Sequence, residues 1–558
     1  MTDAFPGALV GPSSKERKYD RQLRLWAASG QQALEESRVL LVNSDGAIDG
    51  DGTAVSGVVG VEALKNLVLP GIGGFTIVDP ASVTESDLGV NFFLEEDSLR
   101  KSRAEETCRL LKELNPDVDG SFYAEPIAEL LQRPDFLPQY KLVLISGPMK
   151  RSSLDAVCQA ARELGIPVIY THSVGFYSAF SLQLPSEFPI VETHPDPDST
   201  QDLRLLNPWP ELAAAGARIS NLDSLDDHQH GHVPYILLLL HYLEKWKAAH
   251  GGNVPSNYKE KTEFREMVRA GARTDNAEGG EENFDEAVGA VLKSINPFLL
   301  RSTIRDVFEM DQCVNLKQDS DNFWIIASAI RAFYNKHGVL PLPGSLPDMK
   351  ATSADYIALQ NIYKSKARKD LEEVLETVRA TEMQLGSRPV PVSEREVEIF
   401  CKNAAHIKVI HGRDIPQIEE NATQTLKTIR DNLGFPESVV PIFIAFQALD
   451  EIVDEIQNGK APKTSLDDEA KWNTHIERLL NLIAAGDPSS VDEEARERVL
   501  KAAQELRRAE GGELHNISSL TGGLVAQEAL KVLTRQYVPL DNTCVFDGIG
   551  SRSEMFRL

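Results

Sequence analysis

The sequence predicts an α/β chain: a mostly parallel sheet of the nucleotide-binding kind, interrupted by a large all-helical insertion. Three observations predict it. Arg38 to Asp79 reads as strand, helix, strand, with an acid closing the second strand. Strands and helices keep alternating to about residue 182, and after a long helical stretch a helix and strand of the first kind return beyond Leu514. Such alternation places parallel strands between two layers of helices. A strand–helix–strand unit that ends on an acid is how Rossmann-like folds open.

The elements follow in chain order. Residues 1–14 are rich in Gly, Pro and Ser and are expected to be loose. Lys15–Glu36 predicts a helix containing KYDRQLRLW, with Leu23, Trp26, Ala27 and Leu34 available for a buried face and Arg21 and Arg24 as cations. Val39–Asn43 is a short apolar run of strand type. Val58–Leu69 carries Leu64, Leu67 and Val68 at helical spacing, and Phe75–Val78 is the second strand, closed by Asp79. Helix Asp97–Leu114, strands Ser121–Ala124 and Leu142–Ser146, helix Ser152–Leu164 and strand Pro167–Thr171 come next, with Phe176–Leu182 as an added outer strand.

Past Pro185 the composition turns Pro- and acid-rich and reads as an irregular crossing. From about Pro234 to about Glu510 the pattern is almost wholly helical. Its runs include Tyr235–Ala249, Tyr258–Ala270, Phe284–Ser294, Phe323–Lys336 and Ser353–Gln384. Ser393 with Glu396, and Ser490 with Glu493, have capping-box spacing at two further helix starts. No repeat of fixed period is visible, which argues against a solenoid. A last helix through TGGLVAQEALKVLT and a strand at Thr543–Phe546 complete the sheet begun near the start. The expected organisation is one α/β domain built from 15–185 and 511–558, with 186–510 inserted as a helical domain.

Length and charge bound the function. A chain of 558 residues is long enough for roughly three or four domains. A formal net charge of −26 argues against a general nucleic-acid or anionic-membrane surface, because both would be repelled. The five cysteines (Cys108, Cys158, Cys313, Cys401, Cys544) lack C-x-x-C spacing, so neither a disulfide framework nor a zinc knuckle is indicated. That usage fits a reducing compartment. The start of the chain shows no signal-peptide pattern, and the longest apolar run, Tyr235–Leu240, is far too short to span a bilayer. A cytoplasmic and nuclear protein without membrane or nucleic-acid partners is expected.

The chemistry turns on what lies between the first strand and its helix. A nucleotide-binding turn needs bare glycines there, so that backbone N–H groups and the helix N-terminus can cradle phosphate. Here the turn Ser44–Ser56 is long and carries Asp45, Asp49 and Asp51, and Val55 stands where the third glycine of G-x-G-x-x-G belongs. Three carboxylates beside a phosphate repel it, so the scaffold reads as a nucleotide-binding fold that has lost its grip. His228, His230 and His232 form H-x-H-x-H beside Asp226 and Asp227, but no distant pair completes a tetrahedral set. Capping and interface roles are the simpler reading, and no metal site is expected.

KYDRQLRLW, GVEALKNLVLPGIGGFTIVD, KSRAEE and GGLVAQEALKVLT resemble the adenylation domains of the ubiquitin-like-protein activating enzymes. HPDPDSTQDLRLLNPWPEL, NYKEKTEFREMVRAG and LPDMKATSADYIALQNIYKSKARKD extend the resemblance over nearly the whole chain, toward the regulatory half of a heterodimeric member. Active halves of that family bind MgATP, adenylate a modifier's C-terminal glycine and pass the acyl group to a cysteine. Against that pattern this chain keeps Asp79 at the ribose-contacting position, but Ala81 replaces the metal-binding Asp and Val90 replaces the nucleotide-binding Arg. A hydrophobe neither holds a hard cation nor neutralises phosphate. None of the five cysteines stands in the family's Pro-x-Cys-Thr setting, so no catalytic cysteine is expected here.

The resemblance therefore implies a pseudo-adenylation domain that binds no cofactor itself, with MgATP at the site of a catalytic partner subunit. The ubiquitin-like modifier is a further partner, and the conjugating enzyme an indirect one. It implies that Arg21 reaches the nucleotide phosphates of the partner in trans, with Arg24 and Lys101 as weaker candidates. Tyr19 and Gln22 of the YDRQ helix, and Tyr356, Gln360 and Tyr363 of the later helix face, are implied at the partner interface. Lys101 and Arg103 themselves read as solvated helix residues. The small regulatory subunit of the sumoylation-activating enzyme is the nearest alternative, but it lacks an insertion of this size. A dinucleotide-dependent enzyme using Asp79, and a pure adaptor, are alternatives of other classes.

Overall fold

The computed structural model describes residues 13–45, 57–196, 202–219, 221–275, 280–386, 391–485 and 490–558. The greater part of the turn 44–56, with Asp49, Asp51 and Val55, lies outside them, as do residues 1–12.

The apolar runs form the strands that their composition dictates. β1 (Arg38–Val42), β2 (Gly74–Val78), β3 (Asp119–Tyr123), β4 (Leu142–Ser146), β5 (Val168–Val174) and β6 (Tyr177–Gln183) come from the first part of the chain. β7 (Phe188–Val191) pairs with β8 (Ile407–Ile410) in a separate two-stranded sheet. β9 (Thr543–Asp547) and β10 (Arg552–Phe556) come from the C-terminal part. The main sheet has eight strands in the order β10-β9-β6-β5-β4-β1-β2-β3. β3, β2, β1, β4 and β5 run parallel, whereas β6, β9 and β10 add antiparallel ladders.

Tyr177–Gln183 is not the outer strand that its position in sequence suggests. It lies between β5 and β9 and is buried on both faces. An edge strand needs charge or exposure to keep foreign strands away. YSAFSLQ has no charge, while the edges β3 (DGSFY) and β10 (RSEMF) carry charged, exposed positions.

The N-terminal helix is also broken where a single run was expected. Ser13 caps a short helix Ser14–Lys18 through a capping box with Glu16, and a second helix spans Asp20–Glu35. Trp26 and Ala27 leave helical geometry inside it, Ala27 at φ 56° and ψ −177°. Gln536 Nε2 donates to the Trp26 carbonyl at 3.1 Å across this kink. Because the kink splits the expected apolar face, Leu34 is fully buried while Leu23, Trp26 and Ala27 are only half-buried. Asp97–Leu114 shortens for a similar reason. Arg100 is left-handed at φ 67°, and the helix proper starts at Arg103 under a Ser102 cap.

The chain divides into two compact units, 1–188 with 410–558, and 189–409. The inserted part therefore ends near 409 rather than at 510. Helices Val440–Gln457, Glu469–Ala484 and Glu493–Arg508 share one core, through Leu449, Trp472 and Val499, with Ala179 of β6 and Val545 of β9. Helical composition alone does not reveal which unit a helix covers. Unit 189–409 holds two cores of its own, one around Leu239, Trp246 and Phe284, the other around Phe308, Ile326 and Phe400. A single 33-residue helix, Ser353–Leu385, capped by Thr352, takes part in both. Ser393 caps Glu394–Lys402 as its spacing predicts. Ser490 does not cap the helix after it, because Asp492 accepts the Ala495 N–H at 2.8 Å instead.

Candidate functional site: a crevice filled from within

β1 is bonded to β2 on one side and to β4 on the other, so the order of the sheet reverses at its carboxyl end. In folds of this kind ligands bind in the crevice outside that point. Four residues meet there: Asn43 and Ser44 just after β1, Ser146 at the end of β4, and Asp79 just after β2.

Asp79 is fully buried and its carboxylate is completely used. Asn43 Nδ2 donates to it at 2.8 Å, Ser44 Oγ at 2.6 Å and the Ala81 N–H at 3.0 Å. Arg103 adds two more bonds, Nε at 2.7 Å and Nη2 at 3.2 Å. A carboxylate has about four acceptor positions, so none is left for a ribose hydroxyl. Arg103 is itself 1% exposed, and its Nη1 donates to Asp87 at 2.9 Å. The reading of Arg103 as a solvated residue is thus overturned. Its side chain lies inward, where two buried carboxylates neutralise it. Burial alone would push the Asp79 carboxyl up, but the guanidinium and the hydrogen bonds hold it below its ordinary value. The same pair of acids raises Arg103 against the cost of its own burial.

The phosphate position is filled as well. Helix Val58–Val68 starts at Gly57 in left-handed geometry, φ 60°, where a Cβ would come within 2.4 Å of Asn43 Oδ1. The N–H groups of Val58 and Val59, the donors that would face a phosphate, point instead at Glu513. Its two carboxylate oxygens accept them at 2.8 and 2.9 Å, and Ser518 Oγ donates to the same group at 2.5 Å. The chain's own anion thus sits on the helix N-terminus, favoured by the helix dipole. Nothing near Glu513 in sequence signals this role, because its partners lie 454 and 455 residues away.

The fold implies a bound MgATP, and these residues do not fit one. A carboxylate holds the donors that phosphate would use, an arginine covers the acid that ribose would use, and the Ala81 methyl has no oxygen for a metal. Val90 is half-buried, and its backbone N–H donates to the Asp87 carbonyl at 3.2 Å. Among the described residues no group of His, Cys, Asp and Glu is arranged to hold a metal. His230 is buried against Glu281 at 2.7 Å and stacks on Phe284, while His228 and His232 stack on each other.

All five cysteines are buried. Burial pushes the Cys108, Cys313 and Cys544 thiols up to about 11 and Cys158 up to about 12, and raises Cys401 as well. A thiol so shielded has little thiolate character at neutral pH.

The remaining residues named from sequence fall into two groups. Arg21 is exposed on its helix and pairs with no carboxylate among the described residues, whereas Arg24 is paired with Asp20 at 3.0 Å. Lys101 approaches Glu106 at 3.7 Å. Gln22, Tyr356 and Gln360 are half-buried and retain some surface, and Gln360 Oε1 accepts from Lys364. Tyr19 and Tyr363 are different. Tyr19 is 3% exposed and its hydroxyl accepts from Asn115 Nδ2 at 3.1 Å. Tyr363 is fully buried and donates to the Leu203 carbonyl at 2.7 Å, with its ring edge-on to Trp209. Both anchor the chain's own core, which accounts for their aromatic character without a partner.

Comparison with known proteins gives the family. The ThiF family model matches residues 19–558. The NEDD8-activating enzyme E1 regulatory subunit of Xenopus laevis is 35% identical over 98% of this chain and 99% of its own length. The Drosophila melanogaster protein of that name is also 35% identical, over 98% of each chain. The Arabidopsis thaliana regulatory subunit AXR1 is 32% identical over 97% of this chain and 96% of its own. With matches that run end to end and a nucleotide crevice closed by its own side chains, the chain belongs to the ThiF family, in the branch of the NEDD8-activating enzyme E1 regulatory subunits.

Proposed function

We propose that the chain is the non-catalytic half of a heterodimer whose catalytic subunit holds MgATP and the thioester-forming cysteine. Together the two halves support adenylation and thioester activation of the ubiquitin-like modifier of cullins. The observation that carries this reading is the filled crevice. Among the described residues, Glu513 occupies the helix N-terminus and Arg103 covers Asp79, which supports a regulatory subunit that works through a partner's nucleotide site. Among the described residues no helix is long and apolar enough to cross a membrane.

Arg21 is the residue through which it would act. An exposed guanidinium without an internal carboxylate is free to stabilise negative charge as the α-phosphate is attacked and pyrophosphate leaves. Arg21→Ala is expected to slow modifier-dependent pyrophosphate exchange by the heterodimer by roughly 10²-fold or more, with assembly by gel filtration unchanged. Exchange at the unsubstituted rate would remove the trans role of Arg21. Thioester formation by this chain alone, without the partner, would remove the heterodimer reading itself.

A further inference from the structure

The chain is strongly acidic, with 84 Asp and Glu against 58 Lys and Arg, yet one cleft reverses that balance. It lies inside unit 189–409, has a volume of about 880 Å³, and is lined by Arg204, Lys293, Arg301, Lys366 and Lys402 against the single acid Asp202. Some of this charge is already used. Arg204 pairs with Asp202 at 3.1 Å, and Lys366 pairs with Asp370. Arg301 and Lys402 are exposed and pair with no carboxylate among the described residues. Unpaired positive charge stands at these two positions.

The cleft is also apolar along one wall. Phe298 and Leu299, 37% and 79% exposed, lie on a stretch without helix or strand that ends at Arg301. A second cavity of about 460 Å³, lined by Lys408 and Glu192 among others, shares Arg301, Ala405 and His406 with the first. The two cavities therefore adjoin at these three residues. Compact anions such as phosphate are held by donors converging on one point. Here two unpaired cations share one cleft with exposed apolar side chains, which suits an extended segment that carries both acids and hydrophobes.

From this charge complementarity we infer that the cleft is a docking site for an acidic, partly apolar linear segment of a partner protein. The segment's carboxylates meet Arg301 and Lys402, and its apolar side chains lie against Phe298 and Leu299.

The full chain tests this by fluorescence anisotropy with a short labelled peptide alternating Glu with Leu and Phe. A counterpart with Lys in place of Glu, and unlabelled inorganic pyrophosphate, serve as competitors. The acidic peptide is expected to bind and to weaken as salt is raised. Arg301→Glu combined with Lys402→Glu is expected to weaken it by about tenfold or more, with circular dichroism and melting temperature unchanged. Leu299→Ser is expected to weaken it several-fold, because a compact-anion site would not feel that change. Equal competition by the Lys peptide, indifference to the charge reversal, or displacement by pyrophosphate at constant ionic strength would each overturn the assignment.

Discussion

Arg103 is the residue on which the interior of the crevice depends. Its guanidinium is shared between two buried carboxylates, Asp79 and Asp87, at 2.7 and 2.9 Å. A buried ion pair adds little net stability over a well-packed apolar pair. Removing one partner is costly, because the other charge is then buried alone. Arg103→Met is therefore expected to destabilise unit 1 by about 3–5 kcal/mol in chemical denaturation at neutral pH. The pH dependence follows from Asp79, whose folded value lies below its unfolded one of about 3.9. Its contribution is complete above about pH 4 and is lost as the pH falls through that lowered value. A protonated Asp79 needs no cation, so the stability gap between native protein and variant is widest at pH 7 and narrows on acidification. A gap that is constant from pH 7 to pH 3 would show that Arg103 acts through packing alone.

At the scale of elements, the start of helix Val58–Val68 shows both what sequence carries and what it leaves out. The helix, its flanking strands and the acid that closes β2 are legible from Val39 to Asp79, because apolar spacing is local and each run reports its own conformation. The 33-residue helix Ser353–Leu385 was legible for the same reason. What sequence could not carry is which distant group meets which. Nothing in the residues around Glu513 marks its role, yet it caps Val58 and Val59 from the far end of the chain. Arg103 reads as solvated because helical spacing says nothing about Asp87 lying opposite. Helices 423–508 read as part of the insertion because their core partners, Ala179 and Val545, stand far away in sequence. Glu513→Ala is expected to leave two buried N–H groups unsatisfied and to cost about 1–3 kcal/mol. Amide hydrogen exchange at Val58 and Val59 would quicken, and unchanged protection at those two positions would show that the carboxylate is dispensable.

At the scale of the whole molecule, the two units differ in how they depend on chain continuity. Unit 189–409 closes both of its cores with its own residues, from Val191 to Ile407. The other unit is assembled from both ends of the chain. β6 needs β9 as its neighbour, helices 440–508 cover β6 and β9, and helix Val58–Val68 takes its capping anion from Glu513. A fragment of residues 189–409 is therefore expected to fold alone, with a helical spectrum and one cooperative melt. A chain ended at residue 409 keeps everything that unit 189–409 requires, but it leaves β6 as an uncovered edge, open to pairing with another chain. In that shortened chain limited proteolysis is expected to digest 13–188 and to spare a core near 189–409, whereas the full chain resists in both parts. Survival of 13–188 as a protease-resistant, monomeric piece would mean that the parallel half of the sheet stands without its C-terminal strands, and the dependence argued from β9 and Glu513 would then be wrong.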